Sequence, residues 1–177
     1  DANDNSATKN FTVGDVLNLE NPNAFKLVLD SPSILSQPAA AGDAIKQVVF
    51  GAAFSNNSVS LDVDGSITFL EAGRYIIETR FNGGQIDAAP AGINYNMFFA
   101  SKLNGSQIGN TIEDSVYVTT GRTDFYDTTM NTFILSVNSN DVLTFEFKGG
   151  AAGSGLGIST TTGFNDVPSS VIKIYKI

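Results

Sequence analysis

Short apolar runs with a repeat of two residues are the feature that most restricts the fold of this 177-residue chain. In Ile93–Phe99 every second residue is large and apolar, and Arg74–Phe81 puts Tyr75, Ile77 and Phe81 on one face. A period of two is typical of a β-strand, because successive side chains of a strand point to opposite faces. No window shows the i, i+3, i+4, i+7 stripe of an amphipathic helix. The pattern therefore predicts an all-β protein.

Turn-forming residues separate these runs at intervals of about ten residues, a spacing typical of all-β folds. Asp64-Gly65 and Asn104-Gly105 tolerate the positive φ angles of a tight hairpin turn. Asn138–Asp141 predicts a third hairpin, between the strands on either side of it. The glycine-rich stretch Gly149–Gly163 predicts a flexible surface loop. Together these signals favour a β-sandwich or a β-barrel.

The first quarter of the chain differs from the rest in composition. Residues 1–43 hold six acidic and two basic side chains and three of the five prolines. We predict a mobile arm over residues 1–10 and an extended leader over 11–43, outside a compact domain formed by residues 44–177. The apolar residues of this segment that could contact a partner are Phe11, Val13, Val16, Leu17 and Leu19. The alternative is a frayed terminus without a role.

Several kinds of chemistry are excluded by composition. The chain has no histidine and no cysteine, so it lacks a Ser-His-Asp triad, a disulfide framework and the commonest zinc ligands. The net charge of −8 disfavours nucleic acid and anionic membranes as partners. The sequence has no run of about 18 apolar residues, which a membrane-spanning helix would need, and no basic segment before an apolar one at its start, so we expect no signal peptide.

A weak metal candidate is the pair Asp62 and Asp64. The two carboxylates share one strand face beside a turn, and Ca²⁺ favours clustered oxygen ligands. The same pattern is explained by turn chemistry, because an aspartate side chain stabilises turns through nearby backbone groups. We expect no metal, no cofactor and no enzymatic activity.

Residues 45–177 resemble the ten-stranded jelly roll shared by tumour necrosis factor and the complement globular head. The resemblance rests on these segments: Ile45–Phe50 with the turn Ser55-Asn56-Asn57, Ser66–Tyr75, Met97–Gly105 with its final Leu103-Asn104-Gly105, Thr132–Val137 with Asn140-Asp141-Val142, and the last strand Ser170–Ile177. It implies an all-β jelly-roll sandwich of about ten antiparallel strands with an extended N-terminal arm. It also implies a homotrimer around a threefold axis. Jelly rolls with acidic leaders occur in bacteriophage head-decoration proteins and phage fibre tips.

The trimer implied by the resemblance requires an apolar surface, and the last strand suggests one. Val171–Ile177 is apolar on both faces, and such a strand must be covered twice. A neighbouring subunit is the simplest cover, and the alternative is a central strand covered by its own chain. The predicted trimer interface comprises Leu143, Phe145, Phe147, Ile172, Ile174, Tyr175 and Ile177.

From these features we first predict a structural role. We expect a capsid decoration, or cement, protein that binds the outer surface of a bacteriophage head as a homotrimer, with the arm contacting the major capsid protein. Its location would be the virion.

The alternative is a receptor- or glycan-binding tip module of a phage fibre or adhesin. Aromatic residues in or beside polar loops would carry that recognition: Tyr117, Phe125, Tyr126 and Phe164. The same aromatics also fit a structural role at the ends of the sandwich. A third class, a polysaccharide-degrading enzyme, would need two carboxylates facing each other across a cleft.

Overall fold

A computed structural model describes residues 25–39, 44–51, 54–55, 57–86, 93–118, 126–150, 153–159, 163 and 165–177. These described residues form β-strands and no helix. The strands are β1 (Lys26–Ser33), β2 (Gln37–Pro38), β3 (Lys46–Gln47), β4 (Phe54–Ser55), β5 (Val59–Leu61), β6 (Ile67–Phe69), β7 (Gly73–Gln85), β8 (Ile93–Leu103), β9 (Ser106–Val118), β10 (Tyr126–Val137), β11 (Val142–Gly149), β12 (Ser154–Leu156) and β13 (Ser170–Lys176). The prediction of an all-β fold is confirmed.

Two antiparallel sheets pack face to face. The first sheet runs β10, β7, β13, β1, β4, and β12 with β2 continues it beside the end of β7. The second sheet runs β9, β8, β11, after which β6 and β3 share the far edge of β11 and β5 lies beyond β6. The chain passes from β1 in the first sheet to the hairpin β5–β6 in the second, then to β7 in the first and the hairpin β8–β9 in the second. It continues to β10 in the first sheet, β11 in the second and β13 in the first. This is the connectivity of a jelly roll, as predicted.

The core lies between the two sheets and is rich in aromatic side chains. The rings of Phe81 and Phe99, one from each sheet, stack with centroids 5.0 Å apart. Phe50 meets Phe145 edge to face at 5.9 Å. Both arrangements are ones that aromatic pairs prefer. Each large side chain fully buried here stabilises the fold by about 1.5–3 kcal/mol relative to exposure, so these layers hold the sheets together.

The local turn signals have mixed outcomes. Asn104 and Gly105 have φ angles of 51° and 78° and join β8 to β9, so this predicted hairpin is confirmed. Gly65, with φ 90°, closes the hairpin β5–β6, which is also confirmed. The hairpin predicted at Asn138–Asp141 is wrong, because this turn carries the chain from β10 in the first sheet to β11 in the second.

The predicted boundary between residues 43 and 44 is wrong for residues 26–39. Strand β1 pairs with β13 along its length, from Lys26 opposite Lys176 to Ser33 opposite Ser170. A bulge lies between Leu27 and Leu29, and Val28 and Leu29 are both fully buried. The bulge breaks the alternation that would otherwise mark this segment as a strand.

The prediction of a flexible loop over residues 149–163 is also wrong in part. Strand β12 lies inside this stretch, and Ser154, Gly155, Leu156 and Gly157 are buried. It pairs with β7 on one side and with β2 on the other. Glycine allows the latter approach, because a Cβ at Gly155 would lie 2.5 Å from the backbone oxygen of Gln37.

Candidate functional site

Most of the predicted trimer interface is protein core. Five of its seven residues are at most 1% exposed within a single chain: Leu143, Phe145, Phe147, Ile172 and Ile174. A side chain without accessible surface in one chain cannot contact a second chain, so the prediction is wrong for these five. The reason is that all five lie in the core between the two sheets, where the inner face of β11 and the inner face of β13 are covered by the opposite sheet. The inner face of β13 follows the alternative, a central strand covered by its own chain.

Tyr175 and Ile177, the other two predicted interface residues, are partly exposed. Tyr175 lies on the outer face of the first sheet, opposite Leu27 of β1 and Ile76 of β7. Ile76 in turn lies opposite Ile134 of β10, which is 56% exposed. Directly opposed residues of antiparallel strands have Cβ atoms about 5 Å apart. Leu27, Tyr175, Ile76 and Ile134 therefore form one line across four strands, which we call the apolar row.

Polar side chains form the next line on the same face. Glu78 of β7 lies opposite Lys173 of β13, and Lys173 lies opposite Asp30 of β1. The Lys173 ammonium and the Asp30 carboxylate are 3.7 Å apart and partly exposed, so this ion pair contributes about 1 kcal/mol at most. A partner that covers the apolar row must also match this charged line, which restricts how it can be placed.

A second apolar surface lies where the two sheets meet at β9 and β10. Among the described residues, neither strand has a hydrogen-bonded neighbour on its outer edge. Between them lies a groove of about 400 Å³ whose apolar lining comes from Ile108, Ile112, Phe133, Ile134 and Leu135. We call it the edge groove. Ile134 belongs to both surfaces, so the apolar row and the edge groove are continuous around β10.

A chain of polar contacts fixes the end of β13 beside the apolar row. The Lys176 ammonium donates a hydrogen bond to the Glu71 carboxylate, which lowers the pKa of Glu71. The same ammonium lies 5.9 Å from the centroid of the Tyr75 ring. Burial raises the pKa of Tyr75, whose hydroxyl donates to the backbone oxygen of Glu71 at 2.8 Å. These contacts hold the strand that carries Tyr175 in register.

The candidate metal pair serves a turn. The Asp64 carboxylate accepts a hydrogen bond from the Ser66 N–H at 2.8 Å, and this bond lowers the pKa of Asp64. Both Asp62 and Asp64 are exposed. The turn interpretation of Asp64 is confirmed. Within the part of the chain that the structure describes, no group of three or more Asp, Glu, His or Cys residues could hold a metal ion.

The remaining predicted residues fall mostly outside the described ranges. The arm residues Phe11, Val13, Val16, Leu17 and Leu19 lie outside them, as do Phe125 and Phe164. The backbone of Tyr117 lies in β9 opposite Asn94, and that of Tyr126 lies in β10 opposite Gly84. Both tyrosines are therefore on strands, and their role in recognition stays a prediction.

Sequence reasoning missed the apolar row because its members come from four separate strands. A signal was present in β10, where Met130 and Ile134 alternate with Phe133 and Leu135, so that both faces carry apolar residues. Met130 is 71% exposed, two positions from Thr132 on the outer face. The argument that a strand apolar on both faces needs two covers applies to β10 better than to β13.

Comparison with known proteins leaves the chain unassigned. A scan against protein-family models gives no match, and a search of curated proteins finds no significant relative. In the described ranges, no helix has the length and apolar character needed to cross a membrane.

Proposed function

We propose that the chain is a structural subunit that forms a homotrimer and decorates the outer surface of a bacteriophage capsid. The observation that carries the proposal is the exposure of two adjoining apolar surfaces, the apolar row and the edge groove, on a jelly-roll sandwich. Contiguous apolar surface on a soluble protein is a mark of an interaction site.

The two surfaces differ in shape, and this difference supports a ring of identical copies. The apolar row is a line on a sheet face, whereas the edge groove is a cleft between two strand edges. When one surface of each copy meets the other surface of the next, the contact is heterologous, and it forms a ring when the rotation between copies closes. A ring of three is what the resemblance of residues 45–177 implies. This arrangement replaces the interface predicted on the inner faces of β11 and β13.

The capsid part of the proposal rests on charge and on the arm. An excess of eight negative charges suits an outward-facing shell and disfavours contact with packaged nucleic acid. Because residues 26–39 belong to the sandwich, the capsid-binding role falls to the segment before Phe25. Its apolar residues could bind as an extended strand along an exposed sheet edge of the capsid subunit.

Assembly is tested by light scattering on the purified protein. The wild-type chain should have the mass of three chains, and the double variant Ile76→Asp with Ile134→Asp should have the mass of one, because each aspartate would carry charge into the contact. Val63→Asp is the matched control, since Val63 is 97% exposed in the β5–β6 turn. A monomeric wild type, or a double variant that remains trimeric, would contradict the proposal.

Capsid binding is tested with a truncated chain. Deletion of residues 1–23 removes nothing from β1 and should leave the oligomeric mass unchanged. The truncated protein should no longer sediment with bacteriophage heads that have been stripped of decoration protein, whereas the full-length chain should. Equal sedimentation of the two chains would show that the arm is not the capsid contact.

A further inference from the structure

The outer face of the second sheet has a depression at its centre. Ala100 of β8 forms part of its floor, and Glu146 of β11 lies directly opposite Ala100. On the other side, β9 has a bulge, since Ser101 pairs with Ile108 and Phe99 pairs with Ile112. A small side chain beside this bulge leaves a space of about 360 Å³, which lies within the range of small-molecule sites, roughly 300–1,000 Å³.

One wall of the depression is apolar. Ile45 is 61% exposed and lines it together with Phe98 of β8. The Lys148 ammonium lies 5.8 Å from the centroid of the Phe98 ring, a cation–π contact between neighbouring strands. An aromatic and an aliphatic surface are thus presented at one side of the space.

The rim of the depression is polar. The Lys102 ammonium and the Glu146 carboxylate form an ion pair at 2.7 Å, with side chains 28% and 20% exposed. Gln107 and Thr111 of β9 complete the rim, and the Gln107 amide donates to the Thr111 hydroxyl at 3.2 Å. The rim therefore offers both donors and acceptors within a few ångströms of the apolar wall.

These properties exclude several ligand classes. An apolar ligand would bury the Lys102–Glu146 pair under hydrocarbon, which is costly. The Glu146 carboxylate disfavours an inorganic anion, and two lysines disfavour a metal cation. An extended peptide could not add to β8 as a new strand, because β8 already pairs with β11 on one side and with β9 on the other. The surface is thus unsuited to strand addition.

A saccharide fits what remains. A pyranose ring has C–H faces that pack on aromatic and aliphatic side chains, and its hydroxyls both donate and accept hydrogen bonds. We infer that the depression around Ala100 is a saccharide-binding site, with the sugar ring against Phe98 and Ile45 and its hydroxyls bonded to Lys102 and Glu146. This inference does not depend on the proposed capsid role.

The test begins with an array of immobilised oligosaccharides. Its neutral members test recognition through hydroxyls, and its acidic members test recognition through carboxylates. Titrations of ¹⁵N-labelled full chain with maltotriose, cellotriose and chitotriose then map the site. We expect saturable shifts of the amide signals of Phe98, Ala100 and Lys102. Ala100→Leu fills the space without removing a contact and should weaken binding about tenfold or more, as should Phe98→Ala. Phe54→Ala removes an exposed phenylalanine from the first sheet and should leave binding unchanged.

Three results would overturn the inference. One is the absence of selective binding on the array. Another is equal binding by wild type and Ala100→Leu, and the third is a set of shifts that lie away from β8 and β11. The oligomeric mass of Ala100→Leu measured by light scattering separates the two proposals, because it should equal that of wild type whether or not a sugar binds.

Discussion

The two long sides of the sandwich, where the edges of its sheets meet, are built differently. On one side the Gln37 side chain donates to the backbone oxygen of Val49 and accepts from its N–H, both at 2.8 Å. The Ser31 hydroxyl donates to the backbone oxygen of Gly51 at 2.9 Å on the same side. On the other side β9 and β10 face each other across the edge groove without strand pairing.

This difference indicates which side of the sandwich is suited to association with another chain. The side of Gln37 uses residues from β1 and β2 to hydrogen-bond the backbone of Val49 and Gly51, which follow β3. In the described part of the chain, the side of β9 and β10 keeps apolar side chains and strand edges without a neighbouring strand, which are features that associate with other chains. Part of the segment predicted to lie outside the domain therefore closes one side, and the other side is the one that we propose for assembly.

The largest expected effect is on stability, and it is measured by comparing one phenylalanine on each side of the sandwich. Phe50 is 5% exposed and packs on Phe145, so Phe50→Ala should lower the free energy of unfolding by about 4 kcal/mol. Phe133 is only half-buried in the edge groove, and Phe133→Ala should cost about 1 kcal/mol in a dilute, monomeric sample. Urea denaturation measures both.

The same pair sharpens the assembly proposal. If a second copy covers the groove, the cost of Phe133→Ala rises with protein concentration, whereas the cost of Phe50→Ala does not. Equal costs for the two variants in dilute solution would remove the distinction between the sides.

The next effect concerns the approach of β2 to β12. In Gly155→Ala the new Cβ would lie 2.5 Å from the Gln37 oxygen and 2.9 Å from the Pro38 Cα, so β2 must move. We expect a loss of about 3 kcal/mol, seen as a lower urea midpoint. Gly150→Ala is the control, because its Cβ would have no neighbour closer than 3.5 Å. Similar midpoints for the two variants would show that the contact with β2 is dispensable.

A smaller loss of stability is expected when the two hydrogen bonds between the Gln37 side chain and the backbone of Val49 are removed. Gln37→Ala leaves both backbone groups of Val49 without this partner and should cost about 2 kcal/mol. Gln107→Ala, at an exposed position on β9, should change stability by less than about 0.5 kcal/mol. Amide hydrogen exchange gives a direct readout, since the Val49 N–H should lose protection only in the first variant. Retained protection would indicate that other groups hold this segment.

The smallest expected effect is the response of stability to acid, which depends on carboxylates in two turns. The backbone N–H of Ser66 lowers the pKa of Asp64 in the β5–β6 turn, and the Asn104 side-chain amide lowers that of Asp141 beside the β8–β9 turn. A carboxyl group with a lowered pKa stabilises the fold above its ordinary value of 3.8, and this contribution is lost as pH falls through the lowered pKa. Asp64→Asn and Asp141→Asn should each flatten the fall in urea midpoint between about pH 5 and about pH 2.5. An unchanged profile in either variant would show that its turn does not depend on the charge.

Local patterns in the sequence were sufficient for some elements and misleading for others. Asn104-Gly105 and Asp64-Gly65 specify hairpins because positive φ angles and turn hydrogen bonds are properties of a few adjacent residues. Asn138–Asp141 has the same kind of residues, yet it connects different sheets. The pairing partners of β10 and β11 decide that outcome, and they lie elsewhere in the chain.

Local sequence patterns were also insufficient to predict the candidate surfaces. The sequence marks Val171–Ile177 as apolar on both faces, but whether a neighbour in the same chain or another chain covers each face depends on its place in the sheet. Ile172 and Ile174 turned inward to the core, whereas Tyr175 joined Leu27 and Ile76 in the apolar row. The depression at Ala100 also needs side chains from β8, β9, β11 and the segment before β3.

By itself the sequence determined that this chain is all-β, where its strands alternate and which turns are tight, because these depend on interactions between residues close in the chain. Only the tertiary structure decided that residues 26–39 belong to the sandwich, that Leu143 and Ile174 are core, and that apolar side chains from four strands line up on one face. Those features depend on strand order and register, which are set by hydrogen bonds and packing between segments far apart in sequence.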